Sequence, residues 1–204
     1  LTTDSFSDGG KVNTIKKSSK RIKNMIDSGA EIIDVGGEST RPGSKIVSQK
    51  NELFRVKQVI KEFKKKYPKT LLSIDTRKSL IMNFSIKHNV DIVNDVSCFK
   101  FDQKSFDTIK NKNLWKIIHH MQGTPQTIQN NTKYNNVLLY IYDFFEEEIE
   151  KFKKFKHNDK IILDPGIGFG KNLKHNLMIL HKISIFHSLG FPILIGTSRK
   201  RFIS

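Results

Sequence analysis

Two aspartates close apolar runs in this chain: LLSID ends on Asp75 and KIILD on Asp164, while Asn94 sits in a third such run, IVNDV. A carboxylate at the end of a buried strand is only partly solvated, so it is available to a ligand. Helix capping is the plain alternative, and it suits Asp75, which stands just before a helical pattern beginning at 79. It is weaker for Asp75, Asn94 and Asp164 together. Three Asx side chains on one rim suit a flat heterocycle with adjacent N–H donors and a ring carbonyl. Carboxylates accept from the amidine-like edge, and the amide both donates and accepts.

Other stretches offer chemistry with less specificity. DPGIGFGK (164–171) is a glycine-rich turn after a strand. It fails the phosphate-loop template, because Pro165 stands where the first Gly belongs and Asn172 follows the Lys. Its spacing GxGxG is not the dinucleotide GxGxxG either. On that reading the loop is a turn and Lys171 is surface charge. GTSRKRF (196–202) places Ser198, Arg199 and Lys200 at a strand end where a helix should begin, an anion-binding position in barrels or else a capped helix with two solvated cations. In HHMQGTP (119–125), adjacent His119 and His120 on a strand face opposite sides and do not easily share a metal, whereas Met121 could wall a pocket. Ser39 lies in IIDVGGESTRPG, which is not a nucleophile elbow.

The elements that must position these groups follow from hydrophobic periodicity. Helices are expected over 12–30, 49–67, 79–88, 104–112, 136–155 and 175–190, and strands over 31–36, 71–76, 91–96, 114–121, 160–165 and 191–198. Repeated strand–helix pairs with short apolar strands imply a parallel sheet with helices outside. The polar residues gather just past nearly every strand end. An open doubly wound sheet concentrates ligand groups at one switch point, whereas a (β/α)8 TIM barrel collects them around one rim. The fold class expected is therefore an α/β (β/α)8 barrel. Six strands do not close eight, so the barrel is expected to be incomplete, lacking its first strand and its last strand–helix region.

Composition bounds the rest. The 204 residues suit one domain spanning 1–204, with 37% hydrophobic residues and a net charge of +16. The lysines interleave with Ile, Phe and Val at helical spacing, as solvated faces of amphipathic helices do, so nucleic acid is not the expected partner. A positive field favours anionic substrates. A single cysteine, Cys98, permits no intrachain disulfide, and no apolar run approaches the length of a membrane helix. A cytoplasmic location is expected.

The motifs TDSFSDGG (3–10), IIDVGGESTRPG (32–43), SIDTR (73–77), IVNDVS (92–97), HMQGTP, DPGIGFGK and SRKRF occur in one order with sensible spacing. Together they closely resemble the dihydropteroate synthase family of folate biosynthesis, over essentially the whole chain. The resemblance implies a pterin-binding TIM barrel that condenses 6-hydroxymethyl-7,8-dihydropterin diphosphate with p-aminobenzoate and releases pyrophosphate. It also implies Mg²⁺ and a homodimer, and the family is the target of the sulfonamides. By position, Asp75, Asn94, Asp164 and Lys200 resemble the pterin-holding set, with Met121 and Phe169 beside it. Of these, Asp75, Asp164 and Lys200 take the catalytic roles. Thr40, Arg41 and Pro42 resemble the loop that helps close the p-aminobenzoate site. Ser198 resembles the residue near that substrate's carboxylate, with Arg199 beside it, and Asp4, Ser5 and Phe6 resemble the second mobile loop.

Thr3 stands where the family usually has Pro. The family's Mg²⁺-binding Asn is expected before Leu1 and its Arg–x–His motif beyond Ser204, so a longer parent chain is expected. Two other readings remain open: the pterin-binding domain of a methyltetrahydrofolate-dependent corrinoid methyltransferase, and a cationic nucleic-acid-binding fragment.

Overall fold

The computed structural model describes residues 11–39, 44, 46–123 and 133–198, with backbone only for 11–16. The elements run α1 (Lys11–Asp27), β1 (Ile32–Gly36), α2 (Gln49–Lys66), β2 (Leu71–Asp75), α3 (Ser79–Ile86), β3 (Ile92–Asp95), α4 (Ser105–Ile109), β4 (Trp115–His119), α5 (Val137–Phe152), β5 (Ile161–Asp164) and α6 (Leu173–His181), then a 3-10 segment, Ile183–Leu189. Local chemistry sets several boundaries. Ser48, Asn136 and Asn172 accept backbone N–H groups at the starts of α2, α5 and α6. Gly29, at φ +93, lets the chain leave α1 through the left-handed region.

The five strands pair in parallel in the order β1-β2-β3-β4-β5. Each strand lies beside its sequence neighbour and the order never reverses, which is the barrel's winding and not that of a doubly wound sheet. All five strands therefore end on the same edge.

The pairings Gly36↔Asp75, Asp75↔Asn94 and His119↔Asp164 fix the faces. Since side chains alternate along a strand, Asp34, Asp75, Asn94, His119 and Asp164 share one face. Val35, Leu72, Ile74, Val93, Ile118 and Leu163 take the other, where they join the core with Val56, Ile60, Phe63, Ile81, Ile141 and Phe145. Leu72 and Ile74 are fully buried there, each contributing about 1.5–3 kcal/mol. The helix-covered face thus holds the sheet rigid, and the opposite face is left for polar groups.

Two expectations are corrected. The strand expected over 191–198 is a single bridge, Leu163↔Ile193, held by Leu163 N–H donating to Pro192 O and Leu194 N–H to Leu163 O. Pro192 has no N–H to extend that ladder. The helix expected over 175–190 divides at Lys182, which leaves helical dihedrals (φ −113, ψ 25). Beyond it Ser188 Oγ takes the Ile185 carbonyl, a local bond that competes with helical pairing. Phe186 packs edge-on to Phe145 at 5.5 Å.

Candidate functional site

Asp164 ends β5, buried, and each of its oxygens is placed. Oδ2 lies 3.1 Å from His119 Nδ1 on β4, and Oδ1 accepts the Gly166 N–H at 2.8 Å. Burial alone would raise its pKa, but the attraction and hydrogen bond of His119 outweigh burial, aided by Gly166 and Lys171, and hold it below the usual carboxylate range. Asp164 is therefore an anion at neutral pH. The Phe169 ring meets the His119 ring edge-on at 4.7 Å. Gly166 is required here: its φ is +67, and a Cβ would stand 2.0 Å from the His120 carbonyl oxygen.

Asp75 and Asn94 are register partners on β2 and β3. Asp75 does not cap α3; Asp102 accepts the Ser79 N–H there instead, at 2.9 Å. Burial, then the neighbouring charges of Asp34, Asp95 and Glu52, push Asp75 well above its ordinary value. Asp34, two residues before Gly36 on the same face, is pushed up by burial against hydrogen bonds from Ser73 and Asn94. Asn94 Oδ1 and His119 Nε2 are buried with no partner among the described residues. The face thus combines an anionic Asp164, an Asp75 that holds its proton readily, and unsatisfied polar atoms between them. It has the donor and acceptor mix a pterin-like ring edge requires.

Behind this face lies a buried ion network. Glu38, just past β1, receives Arg77 and, at 2.8 Å, Lys78 Nζ, and its Oε2 accepts the Val47 N–H at 2.8 Å. Lys78 also pairs with Glu52 on α2, which accepts Thr76 Oγ1 at 2.5 Å. Burial would raise Glu38, but Lys78 and Arg77 outweigh it and lower its pKa. Ser44 Oγ donates to Ser39 O at 2.5 Å, so two bonds close the neck of the chain between β1 and α2. Arg55 binds the Gly37 carbonyl at 2.9 Å. A Cβ on Gly37 would come within 2.7 Å of Glu52 Cγ, so only glycine admits this approach of α2.

Met121 lines a cavity of about 360 Å³ with Arg77, Phe101, His119 and Phe144, beside the Asp164 pair. Ser198 lies in an exposed turn outside this hydrogen-bonded set. Asp4, Ser5, Phe6, Thr40, Arg41, Pro42, Arg199 and Lys200 fall outside the described residues. Lys171 is not the surface charge expected of it: it is 6% exposed, with Nζ bound to three carbonyls and His120. Sequence reasoning also passed over Asp34, the pairing of His119 with Asp164 and the Glu38 network. Asp34 carried a signal, since IIDVG places a carboxylate in an apolar strand just as LLSID does.

A family model described as pterin binding enzyme matches residues 1–204. The dihydropteroate synthase of Clostridium beijerinckii is 42% identical over 204 residues, covering 100% of this chain and 73% of that one. The chain belongs to the dihydropteroate synthase family. It is accordingly a transferase of folate synthesis. Two solved dihydropteroate synthases superpose closely. That of Yersinia pestis, in a sulfonamide drug complex, is 35% identical with a TM-score of 0.89, covering 100% of this chain and 74% of that one. That of Clostridium difficile, with pteroic acid present, is 40% identical with a TM-score of 0.87, covering 100% and 75%. Their fold is the TIM barrel, and the five described strands form part of it.

Among the described residues no three His, Cys, Asp or Glu side chains converge on one point to hold the Mg²⁺ that the resemblance implies.

Proposed function

We propose that the chain condenses 6-hydroxymethyl-7,8-dihydropterin diphosphate with p-aminobenzoate, giving 7,8-dihydropteroate and pyrophosphate by a dissociative substitution. One observation carries the assignment of residues: Asp75, Asn94 and Asp164 share one face of the sheet, at the ends of β2, β3 and β5. They bind the amino-pyrimidine edge of the pterin. Asp164 is already ionised, and the ring's N–H donors favour the ionised form of Asp75 when the pterin binds. The C–O bond to the diphosphate then breaks, and the positive charge left on the methylene spreads into the ring between the two carboxylates, which stabilise it electrostatically. The aryl amine attacks the methylene carbon and loses one proton. Phe169 and Met121 flank the ring and exclude water.

Lys200 joins the pterin set in this proposal. Thr40, Arg41 and Pro42 close the p-aminobenzoate side, Ser198 and Arg199 sit near its carboxylate, and Asp4, Ser5 and Phe6 cover the diphosphate. Mg²⁺ as a partner of the diphosphate, a homodimer and a cytoplasmic location complete the proposal, motivated by the family. Among the described residues no helix is long and apolar enough to cross a membrane.

The test is direct. The enzyme is incubated with both substrates, and dihydropteroate and pyrophosphate are measured, with and without a chelator and a sulfonamide. Equal yields of both products, suppressed by each additive, are expected. Binding of neither substrate would refute the proposal.

A further inference from the structure

The glycine-rich loop after β5 carries two of the groups assigned to the pterin, Asp164 at its start and Phe169 near its end. A loop of this composition has little intrinsic stiffness. Gly166, Gly168 and Gly170 all take positive φ, at +67, +79 and +62, so the backbone by itself does not select this conformation. Something must hold it. Lys171 Nζ lies 3.0 Å from the Gly166 carbonyl, 2.9 Å from the Phe169 carbonyl and 2.9 Å from His120 Nδ1. These contacts join both ends of the loop to the residue that follows β4. His120 accepts from the ammonium, so its proton lies on Nε2. Burial, then the Lys171 charge, depress its pKa well below the ordinary value and keep it neutral. Its ring is fixed in turn by Phe144 at 5.0 Å and Tyr140 at 5.7 Å, both from α5.

A buried lysine is costly unless its charge is matched by acceptors. Here the acceptors are the carbonyls of the loop that presents Asp164 and Phe169. We infer that Lys171 is a positioning residue for the pterin half of the site: through the Gly166 and Phe169 carbonyls and His120, it sets where Asp164 and Phe169 stand. The inference rests on the function proposed above. It assigns Lys171 no contact with substrate.

The experiment compares Lys171→Met, Lys171→Arg and His120→Phe in the intact enzyme, with the thermal melt and the KM for each substrate. Lys171→Met is expected to raise the KM for the pterin diphosphate by about 10- to 100-fold, as small misplacements of binding groups do, with the KM for p-aminobenzoate within about twofold. Lys171→Arg, which keeps the charge and its donors, recovers most of the loss. An unchanged pterin KM would overturn the inference. So would a parallel loss of both KM values with the melt that Arg does not rescue. If Lys171→Met does not melt cooperatively, His120→Phe decides: it keeps an aromatic ring but removes the Nδ1 acceptor. A selective rise in pterin KM supports the inference and an unchanged KM overturns it. Absence of turnover in the unsubstituted enzyme would instead remove the function on which the inference rests.

Discussion

His119 Nδ1 lies 3.1 Å from Asp164 Oδ2 across the β4–β5 pairing, while its Nε2 is buried with no partner among the described residues. The imidazole thus orients the carboxylate from one side, on the sheet face that both share with Asp75 and Asn94. Asp164→Asn keeps the shape and removes the charge. Turnover is expected to fall about 10²- to 10³-fold, the usual loss for a positioned electrostatic group, with the fold retained. Steady-state kinetics and circular dichroism check this, and near-normal turnover would remove Asp164 from the mechanism.

Asp95 gives a pH-dependent prediction. It lies on the helix side of β3, where burial pushes its pKa up to about 6 from 3.8, against hydrogen bonds from Ser97 Oγ and N–H. A carboxyl raised in the folded state destabilises once ionised, so its cost is present above about pH 6 and relieved as pH falls toward 4. Asp95→Asn keeps the acceptor for Ser97 and removes the charge. It is expected to stabilise the protein by up to about 3 kcal/mol at pH 8 and by almost nothing at pH 4. Urea denaturation at the two pH values measures the difference.

Glu38→Gln leaves Arg77 and Lys78 buried beside a neutral amide. A loss of about 3–5 kcal/mol at pH 7 is expected, because one partner of a buried ion network has been removed. Glu38 is lowered from 4.5 in the folded state, so its contribution is present above that value and is lost as pH falls through the lower folded one. Wild type and variant should converge in stability once pH has fallen below that folded value. A constant difference across pH would mean that packing, not charge, is responsible.

Gly166→Ala adds a Cβ into the His120 carbonyl at a φ of +67. Strain and overlap together should cost about 2–4 kcal/mol and shift Phe169 from His119. Pterin affinity is expected to drop more than p-aminobenzoate affinity. Gly29→Ala, also at positive φ but with nothing within 4 Å, is the control and should cost about 1 kcal/mol with no effect on binding.

Much of the fold was legible in local pattern. Apolar runs with branched residues gave the five strands, and the helical pattern expected from residue 136 starts within one residue of α5, which begins at Val137. The 191–198 strand misled because its apolar composition matches a strand while Pro192 limits its pairing. In the site, Asp75, Asn94 and Asp164 announced themselves as polar groups at apolar strand ends. Lys171 did not, because in sequence it is one lysine among many beside a flexible loop.

The sequence by itself determined the alternation of strands and helices, the glycine positions and the order of motifs that mark the family. Only the tertiary structure decided that Asp34 shares a face with Asp75, that His119 pairs with Asp164, and that Glu38 meets Arg77, Lys78 and Val47. Those facts depend on strand register and on contacts between residues as many as 51 positions apart, as Lys171 and His120 are. Periodicity says that a side chain leaves a strand on one face or the other. Pairing with the neighbouring strand decides what it meets there, and burial then decides whether its charge persists.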